Sequence, residues 1–254
     1  MWNESELTHE HLYRSVLLLY SVKRKVERET TMRTITARVA TKFLKKASKD
    51  LEIHIYDFDG TLFKSPEAPE WWDRTRYGQW HSNQSSLGQP FIANRPSSDC
   101  WISSVVREAK SSISDMNTWA VMCTGRVDTG PLRYRVAELL DQVGLDFDQN
   151  FLNDTGGNTE PYKQRVLIDL LKQHTQVKKV VMWEDTQKNL DALEKICARV
   201  GVVFEGHLVS EILLPANHIS EDEYVDFLRG ELPAKEFDKI QRSLLRSRKR
   251  KQSL

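Results

Sequence analysis

Leu51-Glu52-Ile53-His54-Ile55-Tyr56-Asp57-Phe58-Asp59-Gly60-Thr61-Leu62-Phe63 decides the fold. Leu51 to Tyr56 is apolar and β-branched enough to read as a strand. Asp57 and Asp59 follow at its end, two carboxylates that repel each other unless a cation sits between or beside them. Gly60 lets the backbone turn sharply just after them. In an open parallel sheet, ligands bind beyond the carboxyl ends of the strands, so this is where a ligand crevice should open.

Working outward, Thr118-Trp119-Ala120-Val121-Met122-Cys123 and Lys179-Val180-Val181-Met182-Trp183 read as two more strands, and Val202-Val203-Phe204 as a weaker fourth. Helical spacings lie between them. Thr129 suits a helix cap, with Pro131 near the start, Val136, Leu139, Leu140 and Val143 on one face, and Gly144 as a stop. Val166, Leu167, Leu170 and Leu171 mark a second helix, and Leu190, Leu193, Ile196, Cys197 and Val200 a third. Strands alternating with helices call for a parallel sheet covered on both faces. Residues 64–117 break this rhythm with Pro66, Pro69, Pro90 and Pro96, and show little periodicity before Ile102. They read as an insertion over the edge of the sheet. Its Trp71, Trp72, Trp80 and Trp101 suit packing within the insertion, or stacking on bases.

The polar residues gather at the strand ends. Thr124-Gly125-Arg126 follows the second strand, Lys163 opens the helix before the third, and Glu184-Asp185 closes the third. Acid, hydroxyl, cation and acid are the inventory for holding Mg²⁺ and a phosphoryl group together. Each has a plainer reading. An Asp-x-Asp-Gly turn alone is a common loop, and a lysine in a first helical turn is usually solvated. Arg126 can simply pair with an acid. Glu184 suits a metal ligand, a neighbour of one, or a charge at a helix N-terminus. His54, between Ile53 and Ile55, reads as a packed histidine. The weight lies in all four clusters occurring in order.

On those residues the chain resembles the haloacid dehalogenase-like (HAD) superfamily. Asp57 to Phe63 after an apolar strand matches its first motif, Thr124 its second, Lys163 its third and Glu184-Asp185 its fourth. More narrowly, it is similar to the Swiss Army Knife RNA repair-like HAD family. Three stretches carry that likeness: Thr61-Leu62-Phe63 with Ser65-Pro66, the Cys123-Thr124-Gly125-Arg126 turn, and Tyr162-Lys163 leading to Trp183-Glu184-Asp185. One departure is Thr186, where the resemblance leads us to expect a basic residue. The resemblance implies an α/β, three-layer Rossmannoid fold with a parallel sheet and a cap-like insertion after the first motif. It implies a Mg²⁺-dependent phosphohydrolase acting through an aspartyl-phosphate. Asp57 would be the nucleophile. Asp59 would protonate the leaving oxygen and deprotonate the hydrolytic water. Mg²⁺ would be held by the Asp57 and Asp185 carboxylates and the Asp59 backbone carbonyl. Thr124, Gly125, Arg126 and Lys163 would face the phosphorylated substrate, whether small ester, nucleotide or RNA end.

Composition narrows the classes further. Hydrophobic residues at 39% and charged residues at 29% exclude a disordered tail protein and a collagen-like fibre. With Lys+Arg 37 against Asp+Glu 36, the chain as a whole is no basic nucleic-acid binder. Cys100, Cys123 and Cys197 lie far apart, which speaks against a zinc site and a secreted disulfide scaffold. No apolar run approaches the ~20 residues that cross a bilayer. Charge is uneven at the ends. Met32 to Lys49 carries Arg33, Arg38, Lys42, Lys45, Lys46 and Lys49 without an acid, and Ile35, Val39, Phe43 and Leu44 recur at helical spacing. Mitochondrial targeting segments have that character, as do ordinary solvated helices. The tail carries Arg242, Arg246, Arg248, Lys249, Arg250 and Lys251. It suits solvation, or contact with the phosphates of RNA or a ribonucleoprotein. The division expected is a basic helical extension or targeting segment over 1–50, a HAD-like domain over 51–215, and a helical extension with a basic tail over 216–254. A mitochondrial location is expected on the first extension, and a cytoplasmic one without it. The competing function is a non-enzymatic HAD-fold subunit or assembly factor of a mitochondrial ribonucleoprotein such as the mitochondrial ribosome.

Overall fold

A computed structural model of the chain describes residues 40–42, 44, 45, 51–210 and 219–230. The chain divides into two units, residues 1–47 and 48–254. In the first, residues 40–42, 44 and 45 are helical. The rest of the basic segment and the tail from Arg242, with the expectations for them, lie outside the described residues.

The second unit is built on five parallel strands: β1 (Glu52–Tyr56), β2 (Thr118–Val127), β3 (Gln149–Asn153), β4 (Lys179–Glu184) and β5 (Val203–Leu208). Their order is β3-β2-β1-β4-β5. The chain moves outward from β1 through β2 to β3, then crosses back to β4. The order therefore reverses between β1 and β4, which is where an open α/β sheet forms its crevice.

Alternation explains the layers. Tyr56, Ala120 and Met122 face one side with α2 (Ser103–Ser114) and α3 (Gly130–Gln142), through Val105, Ala109, Leu132, Val136 and Leu139. Ile53, Ile55, Val121 and Cys123 face the other with α4 (Thr159–Gln173) and α5 (Gln187–Val200), through Val166, Leu167, Leu170, Leu190 and Leu193. Each fully buried leucine of these helices contributes about 2 kcal/mol relative to exposure. Gly201 ends α5 in the left-handed conformation at φ 71°, where a side chain would be strained.

Three elements depart from the sequence reading. The weak fourth strand extends to Leu208, and β3 has no counterpart in it. The Cys123-Thr124-Gly125-Arg126 stretch is strand rather than turn: β2 runs on to Val127. The pairing slips there, because Leu152 partners Thr124 while Asn153 partners Val127. Gly125 and Arg126 form a bulge, a device that re-aims side chains at a sheet rim.

Within 64–117 the final part is α2, which packs on β2 as one of the outer-layer helices. The remainder is pinned at its base, where Lys64 N–H donates to Cys100 O at 2.8 Å and Ile102 N–H to Leu62 O at 3.0 Å. It contains α1 (Arg74–Tyr77) and three short 3-10 turns. Its tryptophans pack. Trp72, Trp80 and Phe91 form a cluster with Ile219 and Tyr224, joined by the partly buried Trp71 and Tyr77. Their indole N–H groups are used internally, Trp71 on Ile219 O at 2.7 Å, Trp72 on Gly78 O at 2.9 Å and Trp80 on Pro66 O at 2.7 Å. Tyr224 belongs to α6 (Glu221–Arg229), which starts with a Ser220–Glu223 capping box. It ties itself to the insertion through Tyr77 Oη on Glu221 at 2.8 Å and a 2.9 Å contact between the Tyr224 and Ser85 hydroxyls.

Candidate active site

β1 and β4 lie side by side, with Tyr56 opposite Trp183, so Asp57 and Glu184 leave the sheet together. Asp57 N–H donates to Trp183 O at 3.0 Å, which fixes that juncture. Lys163 comes up from the start of the second turn of α4. Its Nζ donates to Asp57 Oδ1 and to Glu184 Oε2, each at 2.6 Å. Asn189 in α5 donates Nδ2–H to the other Glu184 oxygen at 2.9 Å. Asp57, Lys163 and Glu184 are all buried.

Asp185 completes the group. Ligand oxygens of Asp57, Glu184 and Asp185 lie within 4.8 Å of one another. Three carboxylates and one ammonium leave two net negative charges, and the strain shows in the proton affinities. Burial pushes the Asp57 carboxyl well above its usual value, against the pull of Lys163, with Glu184 pushing the same way. Desolvation of the carboxyl against its crowded neighbours, and the Glu184 charge, raise the otherwise exposed Asp185 to about 6. Burial alone would lower Lys163, but Asp57 and Glu184 outweigh it and hold the ammonium charged. An all-oxygen donor set with two uncompensated charges fits a hard divalent cation such as Mg²⁺.

Asp59 lives in a different field. Its Oδ1 accepts from Arg126 Nε at 2.9 Å, from Arg126 Nη2 at 2.7 Å, and from the Ser65 hydroxyl. Its Oδ2 accepts from Arg126 Nε at 3.0 Å and Thr124 Oγ1 at 3.2 Å. Burial would raise this carboxyl, but the Arg126 guanidinium and these hydrogen bonds hold it below its usual value. Arg126 is itself locked, donating Nη1–H to Ser86 Oγ at 2.6 Å and to His81 O at 3.0 Å. The bulge in β2 is what delivers this arginine beneath the insertion.

Two glycines mark how closely the parts approach. Gly60 has φ 71°, and a Cβ there would lie 2.4 Å from Asp185 Oδ2. A Cβ on Gly125 would lie 2.3 Å from Thr159 Oγ1, at the start of α4. A cavity of about 790 Å³ opens above them, lined by Asp57, Asp59, Gly60, Gly125, Arg126, Lys163, Glu184 and Asp185. Thr124 does not line it. That hydroxyl is fully buried, donates to Asp59, and accepts from the Arg126 backbone N–H at 3.2 Å. Thr186, in place of the expected basic residue, stands just before α5 and turns its hydroxyl to Asp185 Oδ1, to which it donates at 3.0 Å.

Sequence reasoning left Glu184 with three readings, and the structure makes it a buried partner of Lys163 beside Asp57 and Asp185. It missed Asn189, His81 and Thr159. Asn189 had a signal, a polar residue in the first turn after the Glu-Asp pair. His81 had none, since the insertion has no period to place it on one side.

Three layers, a parallel sheet with its order reversing at β1, and acids at the β1 and β4 ends with a lysine between define a HAD-like α/β domain. The sequence profile of HAD domain family 1 in Swiss Army Knife RNA repair proteins matches residues 60–209, and the chain belongs to that family. The matched range takes in Thr124, Lys163, Glu184 and Asp185 and begins just after Asp59. Among solved structures, the chain is similar to the structure of a Pnkp1/Rnl/Hen1 complex at 12% identity and TM-score 0.39, over 63% of this chain and 47% of that one. The chain thus spans about half the length of that relative. It is also similar to a HAD-superfamily hydrolase, subfamily IA, variant 1, from Geobacter sulfurreducens PCA, at 16% identity and TM-score 0.34, over 70% of this chain and 96% of that one. No curated protein matches the chain.

Proposed function

We propose that the chain is a Mg²⁺-dependent phosphohydrolase that acts on phosphomonoesters, at nucleotide or RNA ends, through an aspartyl-phosphate on Asp57. The observation that carries this reading is the buried Asp57–Lys163–Glu184 group with Asp185 beside it. A scaffold has no use for a charge imbalance that costs stability. Asp57 and Asp185, with Glu184 close by and the Asp59 carbonyl on the first loop, would hold the cation. Bound there, it supplies positive charge to the phosphoryl oxygens and neutralises Asp57.

The chain's own groups do the rest. Asp57 is the nucleophile at phosphorus, and Lys163 keeps it oriented while offering charge to the phosphoryl group. Asp59 gives a proton to the leaving oxygen and takes one back from the attacking water. At rest Arg126 holds Asp59 as a carboxylate, so that fork has to loosen before Asp59 carries a proton. Gly125 and Arg126 line the wall against which the phosphoryl group rests. RNA is favoured over small esters by the family's name and by the basic segments at 33–49 and 242–251, which also support the second reading, a ribonucleoprotein subunit in the mitochondrion.

The test is phosphate release by the full chain with Mg²⁺, from p-nitrophenyl phosphate and from oligoribonucleotides phosphorylated at either end. Asp57→Asn should lower turnover on the order of a thousandfold or more with the circular dichroism unchanged. Equal turnover by the variant rules out the nucleophile. Asp57-dependent release from none of the substrates leaves the subunit reading standing.

A further inference from the structure

His81 enters the cavity from the insertion, and nothing in the motifs accounts for it. It sits in the 3-10 turn Trp80–Ser82, exposed, on the cavity wall. The turn is held from two sides. Trp80 is buried with its indole N–H on Pro66 O at 2.7 Å, and Arg126 Nη1 donates to the His81 carbonyl at 3.0 Å.

The ring's chemistry follows from one neighbour. Arg126 Nη2 lies 3.5 Å from His81 Nδ1. A guanidinium has only donors, so Nδ1 is the acceptor and the neutral ring carries its proton on Nε2. Charging the ring would set a second cation and an opposing N–H against Arg126. Partial desolvation of the ring where it lies against Arg126, and the Arg126 charge itself, keep His81 below its usual value, against the pull of Asp59. Besides Asp59 and Arg126, the charged groups lining the cavity with His81 are Asp57, Glu160, Lys163, Glu184, Asp185 and Lys188.

The cavity's cations are all committed. Lys163 serves Asp57 and Glu184, Arg126 serves Asp59, and Lys188 pairs with Glu160. Among the described residues, the His81 Nε2–H has no such partner. Asp59 beside it is saturated as an acceptor and has no proton to offer at rest.

We propose that His81 is a substrate-contacting residue whose Nε2–H donates a hydrogen bond to the ester oxygen that leaves when Asp57 attacks phosphorus. This rests on the phosphohydrolase reading. The Asp57–phosphorus bond forms, the ester P–O bond breaks, and the charge building on the departing oxygen is met by the imidazole N–H. The proton reaches that oxygen through Asp59, which takes it from solvent as the substrate enters and the Arg126 fork loosens. Asp59 then takes one from the water that cleaves the acyl phosphate and releases it to solvent as the fork closes. Such a donor matters for a sugar hydroxyl, a poor leaving group, and hardly for a nitrophenolate. It therefore points to alkyl phosphomonoesters as the substrate class, with nucleoside monophosphates and phosphorylated RNA ends among them.

Two measurements test it on the full chain. In the first, kcat/KM is compared for p-nitrophenyl phosphate and a nucleoside 3′-monophosphate. His81→Phe should lose about tenfold more on the nucleotide than on the activated ester. His81→Gln, whose amide N–H reaches as far as Nε2, should recover most of that difference. Equal losses on both substrates, or none, overturn the proposal. In the second, nitrogen NMR of the imidazole should show the Nε2–H tautomer, with that signal moving on addition of the nucleotide. The opposite tautomer, or a His81 signal unmoved by a nucleotide that shifts the Lys163 signal, also overturns it. Failure of the phosphohydrolase reading looks different, since wild type would then release no phosphate from either ester.

Discussion

Lys163 shows how one side chain holds opposed charges in place. With its ammonium gone, the buried Asp57 and Glu184 face each other uncompensated. Lys163→Met should cost about 3–5 kcal/mol, read as a lower urea midpoint near neutral pH. The loss should shrink in acid as the carboxylates take up protons. Asp185 makes the complementary case. Its folded value of about 6 lies above the ordinary 3.8, so the folded state holds that proton more tightly than the unfolded one. Its contribution is therefore full below the ordinary value and lost as pH rises through the folded one. In metal-free protein Asp185→Asn should raise stability by about 1 kcal/mol at about pH 7.5, the screened remnant at an exposed site, and change little at about pH 4. Mg²⁺ should raise the melting temperature of wild type more at the higher pH and do little for this variant. An equal Mg²⁺ effect on both proteins removes Asp185 from the ligand set. All of these residues except Asn189, His81 and Thr159 were legible, because they follow strand ends or open helices whose periods are plain. What was not legible is pairing. No spacing tells that Arg126 spends itself on Asp59, since that depends on a two-residue slip against β3.

At the scale of elements, the bulge in β2 and the start of α4 are fitted to each other through Gly125. Gly125→Ala sets a Cβ 2.3 Å from Thr159 Oγ1 and 2.8 Å from its Cγ2. The Thr159 side chain or the start of α4 must then give way, and a shift of α4 carries Lys163 with it. The variant should lose about 1–3 kcal/mol by thermal melt, and phosphate release with it. Adding Thr159→Ala removes the hydroxyl and methyl that the new carbon meets, and should recover more than half of the loss. A strictly additive pair would show that the contact is not the cause. β1, β2 and β4 announced themselves through their buried apolar residues, Ile53 and Ile55, Trp119 to Cys123, and Val180 to Met182. β3, Gln-Asn-Phe-Leu-Asn, did not, because an edge strand with polar residues at three of its five positions has no apolar run to read. The periodicity that starts at Ile102 is legible, but the sequence reading keeps α2 inside the insertion, because nothing local marks where the chain returns from an insertion to the layer on the sheet.

For the molecule as a whole, every residue of the proposed chemistry falls between Asp57 and Asn189, while the acid-free tail lies far beyond. Deleting Arg242 to Leu254 should weaken RNA binding, and the salt dependence of what remains should flatten, because fewer counterions are released. Turnover of p-nitrophenyl phosphate should stay as it was. Equal RNA retention by both forms at every salt concentration would separate the tail from RNA. Of this scale the sequence showed the layers and the interruption, but not what steadies the interruption. Tyr224 and Ile219 sit at the far end of the chain from Trp72 and Trp80, and packing across such a separation leaves no local trace.

That aromatic clasp sets an order on the chain's making. Synthesis runs from the amino end, and the acids, the lysine and all five strands have been made by Leu208. The insertion, begun at Lys64, waits for Ile219 and Tyr224 before its own packing is complete. A nascent chain thus passes through a stage in which the groups that handle phosphate are assembled and the wall that carries His81 is still unbraced. Reactivity is built first and discrimination last, and a chain halted before α6 would hold the one without the other.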